Sequence, residues 1–398
     1  MSIFSNKLEG NFSRMFWIQA LLEMKVMNVV MSIFLVFRGI NLSQIFYLSV
    51  MFSIVTLLAE LPSSYLADKW GRKKVLIMAS FLNLIYGIIC IFARDLWMFL
   101  IAFAIFGLST ALYSGTDEAL IYDTSKNLGE EENSLKKLGQ YFSAQRIFKI
   151  VTPIVAVLVA KNLNDSQFIW LLSLDNLALF GALVLCFFLV EPKIHYRVER
   201  IKLGVLKDAW QLMKSNSEML RITISRSLIF IGSFLIWRVY SEYFRQLEVS
   251  IILIGITTAV YQLIAFLLNL TVHKLFVNRD IESRLNLLNI IFMMSVGMFL
   301  INQIFWKNPW MAMIFFIIFI VSESVRSPLY SQITNKLTHS YNRATTLSLV
   351  NLLNSALLVP LVLLGSFLIA RGYNFLFGLS MFLAVISVSF FRLKKTEN

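Results

Sequence analysis

Long apolar stretches alternate with short polar ones along the whole chain. Each stretch is long enough for an α-helix to cross ~30 Å of hydrocarbon. The runs are unbroken and do not alternate with a period of two. They therefore predict membrane-spanning helices, not the strands of a membrane barrel. Spans are predicted at 15–37, 44–66, 75–93, 96–123, 140–160, 167–190, 220–244, 250–274, 285–305, 309–335, 345–369 and 373–391. Nothing is left over for a soluble domain. The longest polar stretch, Glu191 to Glu218, sets a six-helix half at 1–190 apart from a second at 219–398, with 191–218 as a linker. In the linker, Val205, Leu206, Ala209, Trp210, Leu212 and Met213 fit a helix lying on the inner membrane face. The halves read as diverged copies. SQIFYLSVMFSIVTLLAELP from Ser43 lies over SIILIGITTAVYQLIAFLLN from Ser250, which sets Arg72 over Arg279. Such repeats predict two bundles related by a pseudo-twofold axis around a midplane site.

Composition agrees with lipid as the solvent. Of 398 residues, 58% are hydrophobic and 15% charged, with 35 phenylalanines, and the mean hydropathy is +0.72. A soluble domain of this size needs more charge to cover its surface. The formal charge of +13 does not point to nucleic acid, because the basic residues sit mostly in short loops. With the N-terminus in the cytoplasm, each outer loop holds one: Arg38, Arg94, Lys161, Arg245, Lys307 and Arg371. The inner segments hold clusters such as Lys69, Arg72, Lys73 and Lys74. This asymmetry predicts that both termini are cytoplasmic. The opening MSIFSNKLEGNFSR lacks the form of a cleavable signal. Cys90 and Cys186 lie inside apolar runs and read as buried thiols.

The loop after the second span reads Ser64-Tyr65-Leu66-Ala67-Asp68-Lys69-Trp70-Gly71-Arg72-Lys73-Lys74. It resembles the signature of the major facilitator superfamily between its second and third helices. Ser64 replaces the usual Gly and Lys69 the usual Arg. Three further segments resemble a bacterial branch of that family classed with drug and small-molecule efflux. They are Glu60-Leu61-Pro62-Ser63, the run from Ser114 through Asp117, Glu118 and Tyr122 to Asp123, and Arg343-Ala344-Thr345-Thr346. The resemblance implies twelve helices in an all-α integral membrane fold of the inner (cytoplasmic) membrane, acting as a monomer. It also implies a conformational latch of Asp68, Gly71, Arg72 and Asp123, with Asp123 pairing Arg72. Many drug–proton antiporters carry a glycine-rich Gly-Pro stretch in the fifth span. Here Pro153 stands without the glycines, so the efflux reading rests on the branch resemblance alone.

Ionisable residues near a bilayer centre cost ~2.5–3.5 kcal/mol on insertion scales. They usually face a cavity or one another. In the family fold, spans one, four, seven and ten line the cavity. Here those spans hold Glu23, Lys25, Asp117, Glu118, Arg226, Arg238, Glu242, Glu323 and Arg326. Glu118 or Asp117, with Glu23 next, are the candidates for proton coupling, because a buried carboxyl can load and release a proton. Glu323 and Arg326 share a helix face, as do Arg238 and Glu242. Arg146 and Lys149 give span five a basic face that Glu118 or Asp117 can meet. For each of these charges a purely structural pairing is the competing reading. Trp17, Phe234, Trp237, Tyr240, Tyr243 and Tyr261 are candidates for a greasy binding wall, against a core or lipid-facing role.

No phosphate-binding Gly-x-x-x-x-Gly-Lys-Ser/Thr loop, metal-ligand spacing or nucleophile elbow occurs in the sequence. Enzymatic activity, a cofactor and a metal are therefore not expected. The expected partners are a small-molecule substrate, protons and the lipid bilayer. The leading expectation is a proton-coupled exporter working by alternating access. The alternatives are an importer or siderophore or metabolite carrier on the same fold, and a non-transporting sensor or lipid-handling protein.

Overall fold

The computed structural model describes residues 7–130, 133–145, 148–192, 217–275, 280–336 and 343–393. Helices account for nearly all of them, and no strand occurs among the described residues. Most of the 191–218 linker, with its proposed surface helix, lies outside them. The chain divides into two compact units. The first is Met1–Ile40 with Tyr47–Arg200, and the second is Asn41–Phe46 with Ile201–Asn398.

In the first unit, spans two, three and six are continuous helices, Leu42–Trp70, Arg72–Phe92 and Asp165–Phe187. Spans one, four and five are not, although the hydropathy pattern predicts unbroken segments. Span one runs Gly10–Leu22, loosens into a 3-10 turn at Val26–Val30 and resumes at Met31–Phe37. Span four stops at Tyr113 and restarts at Thr116. Gly115 supplies the left-handed φ of +76° that this joint requires. Span five comprises Ser134–Ala144 and Thr152–Val159, with Pro153 opening the second piece. Proline is tolerated there because the first turn has no amide partner to lose. Hydropathy averages over a window and does not register a joint of two or three residues.

Backbone groups freed by these breaks need other partners inside lipid. At the first break, Asp175 of span six accepts from Val26 N (2.6 Å) and Met27 N (3.1 Å). At one end of the bundle Asp165 pairs with Arg38 (2.8 Å) and Arg94 (3.1 Å). Asn164 there caps span six in a reciprocal box with Gln167.

The second unit contains helices Ser217–Gln246, Ile251–Leu275, Ile281–Ile301 with a π-turn to Trp306, Pro309–Lys336, Arg343–Ile369 and Tyr373–Phe390. Its core is aromatic. Tyr240 stacks on Phe316 at 4.7 Å. Tyr243 packs against Phe244, Phe299, Tyr373 and Phe377. These tyrosines are core residues and not the greasy wall considered from sequence.

Among the described residues, ten helices are long and apolar enough to cross a membrane, and Leu353–Ile369 is a shorter apolar one. The two pieces of span five, of 11 and 8 residues, are each too short to cross alone. The chain is an all-α, multi-pass membrane protein. Trp97, Phe305 and Phe390 are 74%, 73% and 74% exposed, a surface that suits lipid and not water.

Candidate functional site

A cavity of about 310 Å3 opens within the first unit. Span one contributes Gln19, Leu22, Glu23 and Lys25, and span two Phe52. Span three adds Ala79, Ser80 and Asn83, and span four Phe106, Ser109, Thr110, Tyr113 and Ser114. Small hydroxyls and amides share the lining with Leu22, Phe52, Ala79 and Phe106, and Lys25 Nζ lies 5.9 Å from the Phe106 ring centre.

The three helix breaks meet here. Glu23 and Lys25 sit at the break of span one, and Ser114 at that of span four. Lys149, at the break of span five, reaches Glu23 Oε2 at 3.3 Å, while Lys25 reaches Oε1 at 3.4 Å. One carboxylate is thus shared by two ammonium groups. Sequence spacing matches Lys149 to Asp117 or Glu118, whereas the structure gives it to Glu23. Arg146, its proposed companion, lies outside the described residues.

Asp117 and Glu118 occupy the first turn of the half-helix that follows the break in span four. The backbone sends them in different directions. Glu118 is exposed at the protein surface, whereas Asp117 is 8% exposed. The Asp117 Oδ2 atom is hydrogen-bonded to the hydroxyl of Tyr141 on span five. The same hydroxyl lies 2.7 Å from Gln19 Oε1, which lines the cavity. Tyr141 has one hydroxyl hydrogen for these two oxygens, and the Tyr113 hydroxyl lies beside it. Both contacts are satisfied in two ways. Either Asp117 is protonated and donates to Tyr141, which donates to Gln19, or Asp117 is ionised and the Gln19 amide is turned to donate. The two arrangements differ by one proton and an amide flip.

The signature loop lies at the end of spans two and three. Gly71 adopts φ +95°, open to glycine at little strain, and leads into the helix beginning at Arg72. The first amides of that helix, Arg72 N and Lys73 N, donate to Glu191 at 2.8 and 2.7 Å. A carboxylate at a helix start meets both free amides and the positive end of the helix dipole. The Arg72 guanidinium pairs with Asp123 of span four. Asp68 is exposed. Asn11 ties span one to the same end, donating to Thr124 (3.1 Å) and Val190 O (2.8 Å) and accepting from Val190 N (2.9 Å).

In the second unit, Arg326 is 2% exposed and donates to Asn289 Oδ1 at 3.3 Å. Glu323 is half-buried one turn before it, but the two form no ion pair among the described residues. Glu242 takes a two-pronged contact from Arg245, at 2.7 Å on each oxygen. Arg238, the neighbour considered from sequence, is half-buried one turn before Glu242.

The model of the Major Facilitator Superfamily matches residues 17–362. The chain belongs to that superfamily. Solved facilitator structures share its fold throughout. A point mutant of the nucleoside transporter NupG aligns with a TM-score of 0.76 at 13% identity, covering 97% of this chain and 99% of that one. A bacterial homologue of the iron transporter ferroportin gives 0.73 at 14%, covering 97% and 98%. The D-xylose-proton symporter gives 0.71 at 14%, covering 97% of each. No curated protein matches in sequence. At these identities the likeness shows the fold. As a facilitator, the chain is a membrane transporter of a small molecule and not an enzyme.

Sequence reading missed Tyr141, Glu191 and Asn289. Tyr141 is 24 residues from Asp117, and no local spacing connects them. Glu191 reads as the first polar residue after a span. The only hint for Asn289 is an amide inside the apolar ninth span.

Proposed function

We propose that this facilitator is a secondary active transporter in which Asp117 carries the coupling proton, and that it works as an exporter in the cytoplasmic membrane. The observation that carries the reading is the chain from cavity to carboxyl through Gln19 and Tyr141. A ligand that hydrogen-bonds Gln19 turns its amide. That turn changes which proton arrangement of Tyr141 and Asp117 is satisfied. Ligand binding and proton release thereby become linked events. Glu23, held by Lys25 and Lys149, positions the cavity wall; Glu118 is a secondary proton acceptor beside Asp117.

Export follows from the branch resemblance of the fourth span and signature loop, and cytoplasmic termini follow from the distribution of Lys and Arg. In this reading Asp68, Gly71, Arg72 and Asp123 latch the cytoplasmic end in one state, and 191–218 links two halves at 1–190 and 219–398. The protein acts as a monomer, without cofactor. Import on the same fold uses the same parts and differs only in the sign of net flux.

The test is purified protein in sealed proteoliposomes with an imposed pH gradient and an internal pH dye. A panel of small molecules is added from either side. The expected result is counter-movement of protons with one class of compound. Substrate flux that leaves internal pH unchanged and ignores the gradient would overturn the coupling.

A further inference from the structure

We infer that the transported molecule carries an oxyanion, a carboxylate or phosphate, that docks on Arg326. The inference rests on the transporter reading above and names the chemistry of its cargo. Arg326 is nearly fully buried in the second bundle, yet its fork of five donors is mostly unused. Nη1 reaches Asn289 Oδ1 at a long 3.3 Å, and Nε is buried with no hydrogen-bond partner. The guanidinium is flanked by the rings of Phe292 and Tyr330, at 5.6 and 5.4 Å. These rings flank the guanidinium without accepting from its N–H edge, where Nε finds no acceptor.

The surroundings hold surplus positive charge. Arg226 of span seven and Glu323 act on Arg326 electrostatically, and none of the three is in an ion pair among the described residues. Two guanidinium groups thus act electrostatically on one carboxylate in this bundle. A guanidinium serving only as a structural brace there would be expected to use its donors on the protein. The neighbouring polar groups are already placed: Asn289 contacts Ser225 and Tyr330, and Ser225 contacts Tyr330 and Ser387. They fix the amide that orients Arg326. An oxyanion is the ligand that a planar, cationic, bidentate donor selects. In the first bundle Glu23 is already shared between Lys25 and Lys149, which leaves its charge unavailable to a cationic ligand.

The experiment uses the full chain in proteoliposomes and matched probes. A set of alkyl and aryl skeletons is presented as carboxylate, primary amide and primary amine, with phosphate monoesters as a further arm. Flux and ligand-induced thermal stabilisation are both read. The expected result is that an anionic member alone stabilises and moves, and the carboxylate and phosphate arms identify the head group. Arg326→Gln should lose at least tenfold in apparent affinity, and Arg326→Lys should retain part of it. Asn289→Asp places a carboxylate beside the guanidinium and should abolish anion preference while leaving Arg326 in place. Preference for the amine or amide, stabilisation by no anionic member, or an Arg326→Gln or Asn289→Asp protein that folds and keeps the anion preference would overturn the inference. Amine flux would leave transport standing and remove the anion site. Anion-selective stabilisation without flux would do the reverse.

Discussion

Replacing Asp117 with Asn separates proton coupling from folding and from transport itself. The substitution keeps the shape of the side chain and an oxygen for Tyr141. It exchanges a charge-assisted hydrogen bond of ~1.5–3 kcal/mol for a neutral one of ~0.5–1.5 kcal/mol, while the desolvation of a buried charge is removed. The two effects oppose, so stability should change by no more than about 1–2 kcal/mol. The functional change is larger. One carboxyl carries one proton, and a gradient of one pH unit then supplies about 1.4 kcal/mol per cycle, enough for an accumulation ratio of about ten. Asp117→Asn carries none, so its ratio should fall to about one. Exchange of substrate at equal pH needs no net proton movement and should persist within a few-fold. The assay is labelled substrate in proteoliposomes, with and without the gradient. A variant that accumulates substrate as the wild type does would refute the role of Asp117. Loss of exchange as well as accumulation would show a structural role instead.

Asp165→Ala strips a buried guanidinium, Arg38 with 1% side-chain exposure, of its carboxylate. Because Asp165 itself is 37% exposed, a loss of about 1–3 kcal/mol is expected in thermal unfolding. Arg94→Ala, removing a partner that is 56% exposed, should lose at most ~1 kcal/mol in the same assay. Gly71→Ala forces a side chain into the left-handed region, with its Cβ 3.1 Å from the Glu191 carboxyl. It should destabilise by ~1–3 kcal/mol, read from unfolding of the reconstituted protein. Cys90 and Cys186, both buried and unpaired, should resist a membrane-impermeant maleimide in the native protein and react on denaturation.

The spans are legible because hydrocarbon imposes length and polarity together, and both are local properties of the sequence. The signature loop is legible because its spacing is fixed by one turn. Pairings across the bundle are not. Helical spacing matches Lys149 to the acids of span four, yet it reaches Glu23, because the break in span five removes the periodicity on which that match relies. Tyr141 gives no sign of joining Asp117 to Gln19, since three spans contribute to that chain and none encodes the others' rotation. The aromatics of span seven look the same as binding residues and as packing; only the contacts of Tyr240 and Tyr243 decide for packing.

The discontinuities of spans one, four and five converge beside continuous spans two, three and six. A continuous helix transmits bending along its whole length, whereas a jointed one confines it. Three joints at one cavity make that side compliant, while the uninterrupted rods keep the other side stiff. Opening can then arise by flexure inside a single half, with the cavity wall as the fulcrum and Asp175 as the tether that keeps the first joint from unravelling.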